Sequence, residues 1–325
     1  MNRPGLLKKK LPKKKPSKSY KPLRYPWALE YWRRQQQIHW MPEEIPLGED
    51  CKDWSSRLSD SERNLLTQVF RFFTQADVEV QDNYMERYAR VFKPTEIKMM
   101  LAAFSAMETV HVAAYSHLLD TIGMPETEYS AFLTVKEMKD KYDYMQGFNV
   151  DSKADIAKTL AVFGAFTEGL QLFASFAMLM NFPRFNKMKG MGQIVTWSVR
   201  DETLHCNSIV KLFRTFVAEN PEIWTEALQR ELYVACSTIV EHEDAFIDLA
   251  FQLDGIEGIE RVAQHGPCRD AAAPAHDQQI ARLVAEDDRG LQRLLEGREL
   301  EAARVQALLV DFRVVGDVTR AIVRQ

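Results

Sequence analysis

Residues 107–116 read Met-Glu-Thr-Val-His-Val-Ala-Ala-Tyr-Ser, and residues 202–205 repeat part of this stretch as Glu-Thr-Leu-His. Residues three apart lie on one face of a helix, so Glu108 and His111 form one potential ligand pair, and Glu202 and His205 form another. A single Glu-x-x-His pattern can occur by chance in a chain of this length. Two such patterns on separate helices of an apolar bundle are much rarer, and they indicate a shared site.

Two further carboxylates complete this site on neighbouring helical segments. Asp77 lies on the segment before Glu108, and Glu168 lies in the middle of a strongly apolar segment. The apolar neighbours of Glu168 are Phe163, Phe166, Leu170, Leu172 and Phe173. An unpartnered charge in such surroundings costs several kcal/mol of desolvation, and a bound metal ion removes that cost.

The combined pattern is one carboxylate from each of two helices and a Glu-x-x-His pair from each of two others. This pattern is typical of the ferritin-like di-iron and di-manganese bundles, although here the first carboxylate is Asp77. Four carboxylates and two imidazoles suit iron or manganese better than zinc, and they balance the charge of two divalent ions. Any one of these residues alone is more often a surface charge or a core histidine. Together they predict an all-α, ferritin-like helical bundle with a di-metal carboxylate site in its core.

Helical periodicity of apolar residues supports this architecture along most of the chain. Ser59, followed three residues later by Glu62, is a candidate N-cap. Prolines at positions 94, 125, 183 and 221 separate the apolar segments, as helix breakers do. The sequence predicts helices near residues 59–90, 94–122, 126–143, 151–181, 187–218 and 222–253.

Composition narrows the class of protein. The formal net charge of −4 argues against a dedicated nucleic-acid-binding protein, although the basic N-terminus leaves a minor nucleic-acid contact open. The four cysteines form no Cys-x-x-Cys pair, which argues against a disulfide framework or a zinc site and favours a reducing cytoplasm. No apolar run approaches the roughly 18–20 residues that a helix needs to span a bilayer. We therefore expect neither a nucleic-acid partner nor a membrane.

Tyr115 bears on the type of chemistry. It lies seven residues after Glu108, almost two helical turns, and so shares the face of the candidate ligands. A phenol beside metals that activate dioxygen can lose an electron and a proton to become a tyrosyl radical, and apolar neighbours then protect the radical from water. The alternative, a core tyrosine with a hydrogen-bond partner, is the commoner role of a helical tyrosine.

From about residue 25 to residue 255 the sequence resembles the small, radical-generating subunit of class I ribonucleotide reductase. The stretch 107–116 resembles the helix of that family that carries ligands and the radical tyrosine. Residues 197–205, Trp-Ser-Val-Arg-Asp-Glu-Thr-Leu-His, resemble its second Glu-x-x-His helix. The spacings between Asp77 and Glu108, and between Glu168 and Glu202, agree as well.

The resemblance implies a function and a set of roles. Asp77, Glu108 and His111 would hold one metal, and Glu168, Glu202 and His205 the other. The metals would be two iron ions, with manganese as an alternative, and dioxygen would activate them. The remaining roles that the resemblance implies are a radical at Tyr115, an electron relay through Trp40 and Asp201, and a radical pocket containing Leu172 and Phe176.

The resemblance also implies partners. Members of the family form homodimers and pass the oxidising equivalent to a large catalytic subunit, which reduces ribonucleotides to deoxyribonucleotides for DNA replication. The family continues with a relay tyrosine and an apolar C-terminal anchor. Here no tyrosine follows Tyr233, and residues 319–325 do not resemble the anchor.

The sequence therefore predicts three parts of the chain. These are a disordered basic tail (1–20), a ferritin-like radical-generating domain (21–256) and an atypical segment (257–325) that we expect to be helical and that does not match the family. The last segment is rich in Arg and Ala and contains no Lys, which motivates the hypothesis of a replaced or out-of-frame C-terminus. Two alternatives to the reductase subunit stay open. One is a ferritin-like di-iron oxidase or ferroxidase, and the other is a metal-loaded subunit unable to engage the large subunit.

Overall fold

The protein is described from residue 20 to residue 259 by a computed structural model, and regular structure in this range is helical apart from an isolated bridge between Ile256 and Ile259. Nearly all of the expected basic tail and of the atypical C-terminal segment lies outside the described residues. The longer helices are α1 (Pro26–Gln37), α2 (Asp60–Asp82), α3 (Thr95–Ile122), α4 (Lys136–Gln146), α5 (Lys153–Ala161), α6 (Leu172–Arg184), α7 (Lys189–Glu219) and α8 (Glu226–Ala250). The prediction of an all-α bundle is confirmed.

Two segments of π-helix interrupt the long helices. Segment π1 (Asn83–Tyr88) continues α2, and segment π2 (Val162–Gln171) joins α5 to α6. A π-helical turn contains one more residue than an α-helical turn, so it changes which side chains face the interior, and such turns are frequent at functional sites. Glu168 lies on π2, the longer of these two segments.

Local sequence explains where the helices begin. The Ser59 side chain accepts a hydrogen bond from the backbone N–H of Glu62 (3.2 Å), and the Glu62 carboxylate accepts one from the backbone N–H of Ser59 (2.9 Å). This capping box satisfies two N–H groups that a helix start would leave unpaired. The predicted N-cap of α2 is therefore confirmed.

Two predicted helices differ from the observed ones. The segment predicted as one helix over 126–143 is broken between a short helical turn, Glu128–Ala131, and α4. The last helix starts later than predicted, because the Thr225 side chain caps α8 by accepting from Leu228 N–H (3.2 Å). Helix α1 is not among the predicted helices.

Helix α7, which carries one Glu-x-x-His pair, is anchored at its N-terminus by a buried carboxylate. Asp50 accepts hydrogen bonds from the backbone N–H groups of Gly190 (2.9 Å) and Met191 (2.8 Å). A carboxylate at a helix N-terminus satisfies free N–H groups and interacts favourably with the helix dipole. This contact fixes where α7 enters the bundle.

The buried apolar residues form two clusters on different sides of the ligand helices. The first cluster contains Trp40, Tyr115 and Phe176, and the second contains Tyr84 and Phe104 among others. Helices α2 and α3 contribute residues to both clusters. Asp77, Glu108 and His111 are buried on these two helices.

Two helical runs have the length and composition of membrane spans, Thr95–Ile122 and Lys153–Arg184. The expectation that no apolar run is long enough is therefore wrong on composition. In the most apolar window of each run, however, 61% and 83% of the residues are buried inside the protein, and both runs carry candidate ligands. Their apolar surface is covered by the rest of the bundle.

Candidate metal centre

The six predicted ligands meet in the interior of the bundle, and each side chain is at most 2% exposed. Their ligand atoms form two groups, and within each group these atoms lie within 4.8 Å of one another. The first group is Asp77, Glu108 and His111, and the second is Glu108, Glu168, Glu202 and His205. Glu108 belongs to both groups, so the two groups are adjacent.

Both imidazoles turn their Nδ1 atoms toward the same carboxylates. Nδ1 of His111 lies 3.3 Å from Glu108 Oε2 and 3.1 Å from Glu202 Oε1. Nδ1 of His205 lies 2.8 Å from Glu108 Oε1 and 3.6 Å from Glu202 Oε2. The carboxylates of Glu108 and Glu202 therefore lie between the two histidines.

Close approach of π2 to α7 brings Glu168 into this group. A Cβ atom added to Gly164 would lie 2.1 Å from the side chain of Ile209, and one added to Gly169 would lie 2.9 Å from the sulfur of Cys206. Only glycine leaves room at positions where two helices come this close. The glycines of π2 therefore permit the contact between the segment that carries Glu168 and the helix that carries Glu202.

The donor atoms of the site fit a pair of cations. Oε2 of Glu168 is buried without a hydrogen-bond partner, which costs about 1–3 kcal/mol. Both carboxylate oxygens of Glu108 and of Glu202 are buried too, and they contact Nδ1 of His111 and Nδ1 of His205. Oxygen and imidazole donors suit iron and manganese, and a bound cation would provide the partner that these atoms need.

Burial and mutual repulsion govern the protonation of the site. Burial, followed by the charge of a neighbouring ligand carboxylate, raises the pKa of Asp77 and of Glu168 well above the ordinary range. Burial opposes ionisation of Glu108 as well, but the adjacent imidazoles of His111 and His205 hold its pKa at about 2. Burial would lower the pKa of His205, yet neighbouring carboxylates raise it to about 10. The site thus favours positive charge close to Glu108.

Asp201 and Trp40 lie where the sequence analysis expects them, next to His111. The Trp40 indole donates to Asp201 Oδ2 (2.8 Å), and the same oxygen lies 3.2 Å from Nε2 of His111. Because Nε2 of His111 is engaged by Asp201, Nδ1 is the nitrogen left to face the ligand group. A carboxylate in this position fixes the orientation and the protonated nitrogen of a metal-binding imidazole.

Gln35 has the corresponding place beside the second histidine and was missed by the sequence analysis. Its Oε1 lies 3.0 Å from Nε2 of His205, and its Nε2 donates to Asp201 Oδ1 (3.4 Å). Gln35 is 2% exposed, whereas the adjacent Gln36 and Gln37 are exposed. No feature of the sequence distinguishes Gln35 from these neighbours, so only the fold could identify it.

Tyr115 is fully buried in the first apolar cluster. Its hydroxyl donates to the Ser198 hydroxyl (3.4 Å), and its ring centroid lies 5.1 Å from that of Phe73. The Phe73 ring lies 5.2 Å from that of Phe176, and Leu172 belongs to the same cluster. Burial raises the pKa of Tyr115 far above the ordinary value. The sequence analysis missed Phe73, although its position four residues before Asp77 on α2 was a usable signal.

Tyr84 is a second buried tyrosine at the site, and it too was missed. Its hydroxyl donates to Glu168 Oε1 at 2.5 Å, and burial, followed by the charge of Glu168, raises its pKa well above the ordinary value. Tyr84 lies seven residues after Asp77, just as Tyr115 lies seven residues after Glu108. That shared spacing was visible in the sequence.

Comparison with known proteins gives concordant results. The family model described as "Ribonucleotide reductase, small chain" matches residues 17–265. A probable ribonucleoside-diphosphate reductase small subunit, 376L of Invertebrate iridescent virus 6, is 45% identical over 251 residues, which cover 72% of this chain and 70% of the viral protein.

Solved structures share the fold. The R2 subunit of ribonucleotide reductase from Clostridium botulinum matches with a TM-score of 0.70 and 22% identity, covering 80% of this chain and 87% of that chain. A variant of an R2-like ligand-binding oxidase with an Mn/Fe cofactor matches with a TM-score of 0.63 and 15% identity, covering 91% and 93%. The fold is thus that of the ferritin-like R2 proteins, and the match of the family model over most of the sequence shows that the chain belongs to the ribonucleotide reductase small-chain family of oxidoreductases.

Proposed function

We propose that this chain generates a tyrosyl radical at Tyr115 and stores it to support ribonucleotide reduction in a large partner subunit. The observation that carries the proposal is the position of Tyr115. It is fully buried, it lies on the same helix as Glu108 and His111, and its ring is enclosed by an apolar cluster. A radical formed there is separated from water and from reductants in solution.

Two iron ions are the metals we propose, with manganese as the alternative. Asp77, Glu108 and His111 would hold one ion, and Glu168, Glu202 and His205 the other. When bound, the ions would supply the power to oxidise a phenol by activating dioxygen. The buried oxygen and imidazole donors that these residues bring together support this assignment.

The residues around Tyr115 would control its hydroxyl proton and its surroundings. Oxidation to a neutral radical removes one electron and one proton from the phenol. The Ser198 hydroxyl, which accepts the Tyr115 hydrogen bond, would hold the phenol in one orientation. Phe73, Leu172 and Phe176 would exclude water, since all three are buried in the same cluster.

Trp40, Asp201 and His111 would relay an electron between the outer part of the bundle and the metal centre. The relay rests on two short contacts, 2.8 Å from Trp40 to Asp201 and 3.2 Å from Asp201 to His111. The Trp197 ring packs 5.2 Å from the Trp40 ring and holds it in place. The relay needs Trp40 to keep one position, and burial restrains it, since its side chain is 2% exposed.

Reconstitution with ferrous iron and dioxygen, followed by electron paramagnetic resonance (EPR), tests the proposal. We expect a tyrosyl signal that disappears in Tyr115→Phe and persists in Tyr88→Phe, which removes another buried phenol whose hydroxyl donates to the carbonyl of Thr159. A signal that survives in Tyr115→Phe would place the radical elsewhere.

An oxidase that acts at the same metals is the second candidate function, because the fold is shared with an R2-like ligand-binding oxidase. No tyrosyl signal from a chain that holds two irons would favour this candidate. The buried path from Trp40 through Asp201 to His111 favours the reductase subunit, since an oxidase needs no such relay.

The partner and the assembly state follow from the proposed function. We propose that the chain forms a homodimer in the cytoplasm and binds the large catalytic subunit of a ribonucleotide reductase. Co-purification with the large subunit tests this. Failure to bind, in a chain that forms the radical, would identify a metal-loaded subunit that cannot engage its partner.

A further inference from the structure

Tyr84 contacts the candidate metal centre from the second apolar cluster. It lies on π1, belongs to the second cluster and is 1% exposed. Its hydroxyl donates to Oε1 of Glu168 at 2.5 Å. Among the described residues, this phenol makes the shortest hydrogen bond to a candidate ligand, and the proposed radical chemistry gives it no role.

The hydrogen bond divides the two oxygens of Glu168. Oε1 is taken by the Tyr84 hydroxyl, whereas Oε2 is buried and has no hydrogen-bond partner. A glutamate side chain has three rotatable bonds, so an unrestrained carboxylate can present either oxygen or both to a cation. The contact with Tyr84 restricts that choice and leaves Oε2 as the oxygen available for a metal.

Tyr84 is itself held firmly enough to act as a fixed point. Its ring packs against Phe104 and Tyr88, each with a centroid distance of 5.9 Å, and lies edge-on to His205 at 6.2 Å. A hydrogen bond from a neutral donor to a carboxylate is shorter and stronger than one between neutral groups. A rigid phenol with this bond can therefore fix the orientation of the more flexible Glu168.

We propose that Tyr84 is a positioning residue that orients Glu168 and thereby sets the metal affinity of the group formed by Glu168, Glu202 and His205. The inference rests on the metal site in the proposed function but not on the radical. Hydrogen bonds to metal-binding carboxylates commonly change metal affinity by about 10–100-fold. Tyr84→Phe removes this bond and leaves the aromatic ring in place.

The chain offers a matched control in Tyr88. Tyr88 lies on the same π1 segment, is 1% exposed and donates its hydroxyl to the carbonyl of Thr159 (2.8 Å), with no contact to a candidate ligand. Tyr88→Phe therefore removes one buried hydroxyl and one hydrogen bond from the same place in the bundle. It reproduces the general cost of Tyr84→Phe without touching Glu168.

The test is an anaerobic titration of the metal-free full-length chain with Mn²⁺, in which the EPR signal of free Mn²⁺ measures binding. We expect two ions per chain for the wild type and for Tyr88→Phe. For Tyr84→Phe we expect the affinity of one ion to fall about tenfold or more while the other ion binds as before. At position 84, 4-aminophenylalanine, which keeps a donor, should restore binding, and 4-methylphenylalanine should not.

Two results would overturn the inference. The first is wild-type affinity for both ions in Tyr84→Phe, and the second is an equal loss in Tyr84→Phe and Tyr88→Phe, which would make the effect one of general packing. If Tyr84→Phe does not fold, the amino and methyl analogues decide the question in the same way. Failure of the radical proposal looks different, because the EPR of the reconstituted protein would then lack a tyrosyl signal while Tyr84→Phe still weakened one ion.

Discussion

Tyr84 and Tyr115 have the same sequence spacing from a candidate ligand, but their hydroxyl groups have different hydrogen-bond partners. Each lies seven residues after a candidate carboxylate ligand, and both are buried. Tyr84 donates to a ligand carboxylate at 2.5 Å, whereas Tyr115 donates to the neutral hydroxyl of Ser198 at 3.4 Å. The acceptor of the hydrogen bond, and not the distance along the helix, separates the phenol that we propose supports a ligand from the phenol that we propose carries the radical.

The surroundings of the two rings strengthen this contrast. The Tyr84 ring lies on a π-helical segment and packs against Phe104 and edge-on to His205, so both its hydroxyl and its ring engage the ligand group. The Tyr115 ring lies on the regular helix α3 and packs against Phe73. One tyrosine therefore belongs to the support of the metal centre, and the other lies beside it in an apolar pocket.

The largest effect should come from removing the acceptor of the Tyr84 hydrogen bond. Glu168→Ala deletes a ligand and leaves a cavity in the core, so we expect metal content to fall from two ions per chain to one or fewer, measured by elemental analysis. The matched control is Glu96→Ala, which removes a buried glutamate that accepts from the backbone N–H groups of Arg24 and Tyr25. Two ions per chain in Glu168→Ala would remove Glu168 from the ligand set.

The next effect concerns the support of the opposite histidine. Asp201→Ala frees Nε2 of His111, so we expect metal affinity to fall by about 10–100-fold, as measured by Mn²⁺ titration. Trp40→Phe is the control, because it removes the indole bond to Asp201 and leaves the contact between Asp201 and His111. Equal losses in the two variants would mean that Asp201 acts through Trp40 and not through His111.

A third effect is the pH dependence of the metal-free chain. The pKa of His205 is about 10 in the folded chain, because neighbouring carboxylates outweigh burial, and about 6.5 in an unfolded chain. A raised pKa of this kind stabilises the fold below about pH 6.5, and this contribution is lost as the pH rises toward 10. We therefore expect the melting temperature of the metal-free protein to fall between these pH values.

Metal binding should remove most of that dependence, because a bound imidazole is already deprotonated. Thermal melting with and without Mn²⁺, followed by circular dichroism at several pH values, makes the comparison. A metal-free chain whose melting temperature rises over this range would contradict the proposed protonation of the site.

The smallest effect should be at Ser198. Ser198→Ala removes the only hydrogen bond recorded for the Tyr115 hydroxyl within the described part of the chain, and a bond between neutral groups contributes about 1 kcal/mol. We expect the radical to form in normal yield, with an altered high-field EPR spectrum, because the phenol has lost its acceptor and the radical oxygen has lost the neighbouring Ser198 hydroxyl. An unchanged spectrum would mean that Ser198 does not contact the radical.

The sequence was sufficient to predict the ligand helices because the two Glu-x-x-His pairs obey helical spacing. The structure brings Asp77 and Glu168 into one site with the pairs, as the apolar surroundings of Glu168 had suggested. Gln35 could not be predicted, since its contacts are made across the fold by a residue that looks like its neighbours. The π-helical segments were equally hidden, because their extra residue arises from packing and not from a local motif.

Tyr84 could be predicted only in part. Its spacing from Asp77 was visible in the sequence, but its acceptor depends on where π2 places Glu168 against α7. Local rules thus gave the positions of most helices, and the contacts between distant segments decided the roles of individual side chains.

The hydrogen bonds of Gln35 have a consequence for the order in which the protein matures. Gln35 is separated from Asp201 by 166 residues and from His205 by 170 residues, so its contacts join the beginning of the described chain to a segment synthesised much later. Contacts of such long range form late in folding, because a long loop must first close. During synthesis on the ribosome, both imidazoles can be correctly supported only after α7 has emerged, which makes ion uptake one of the last steps of biogenesis.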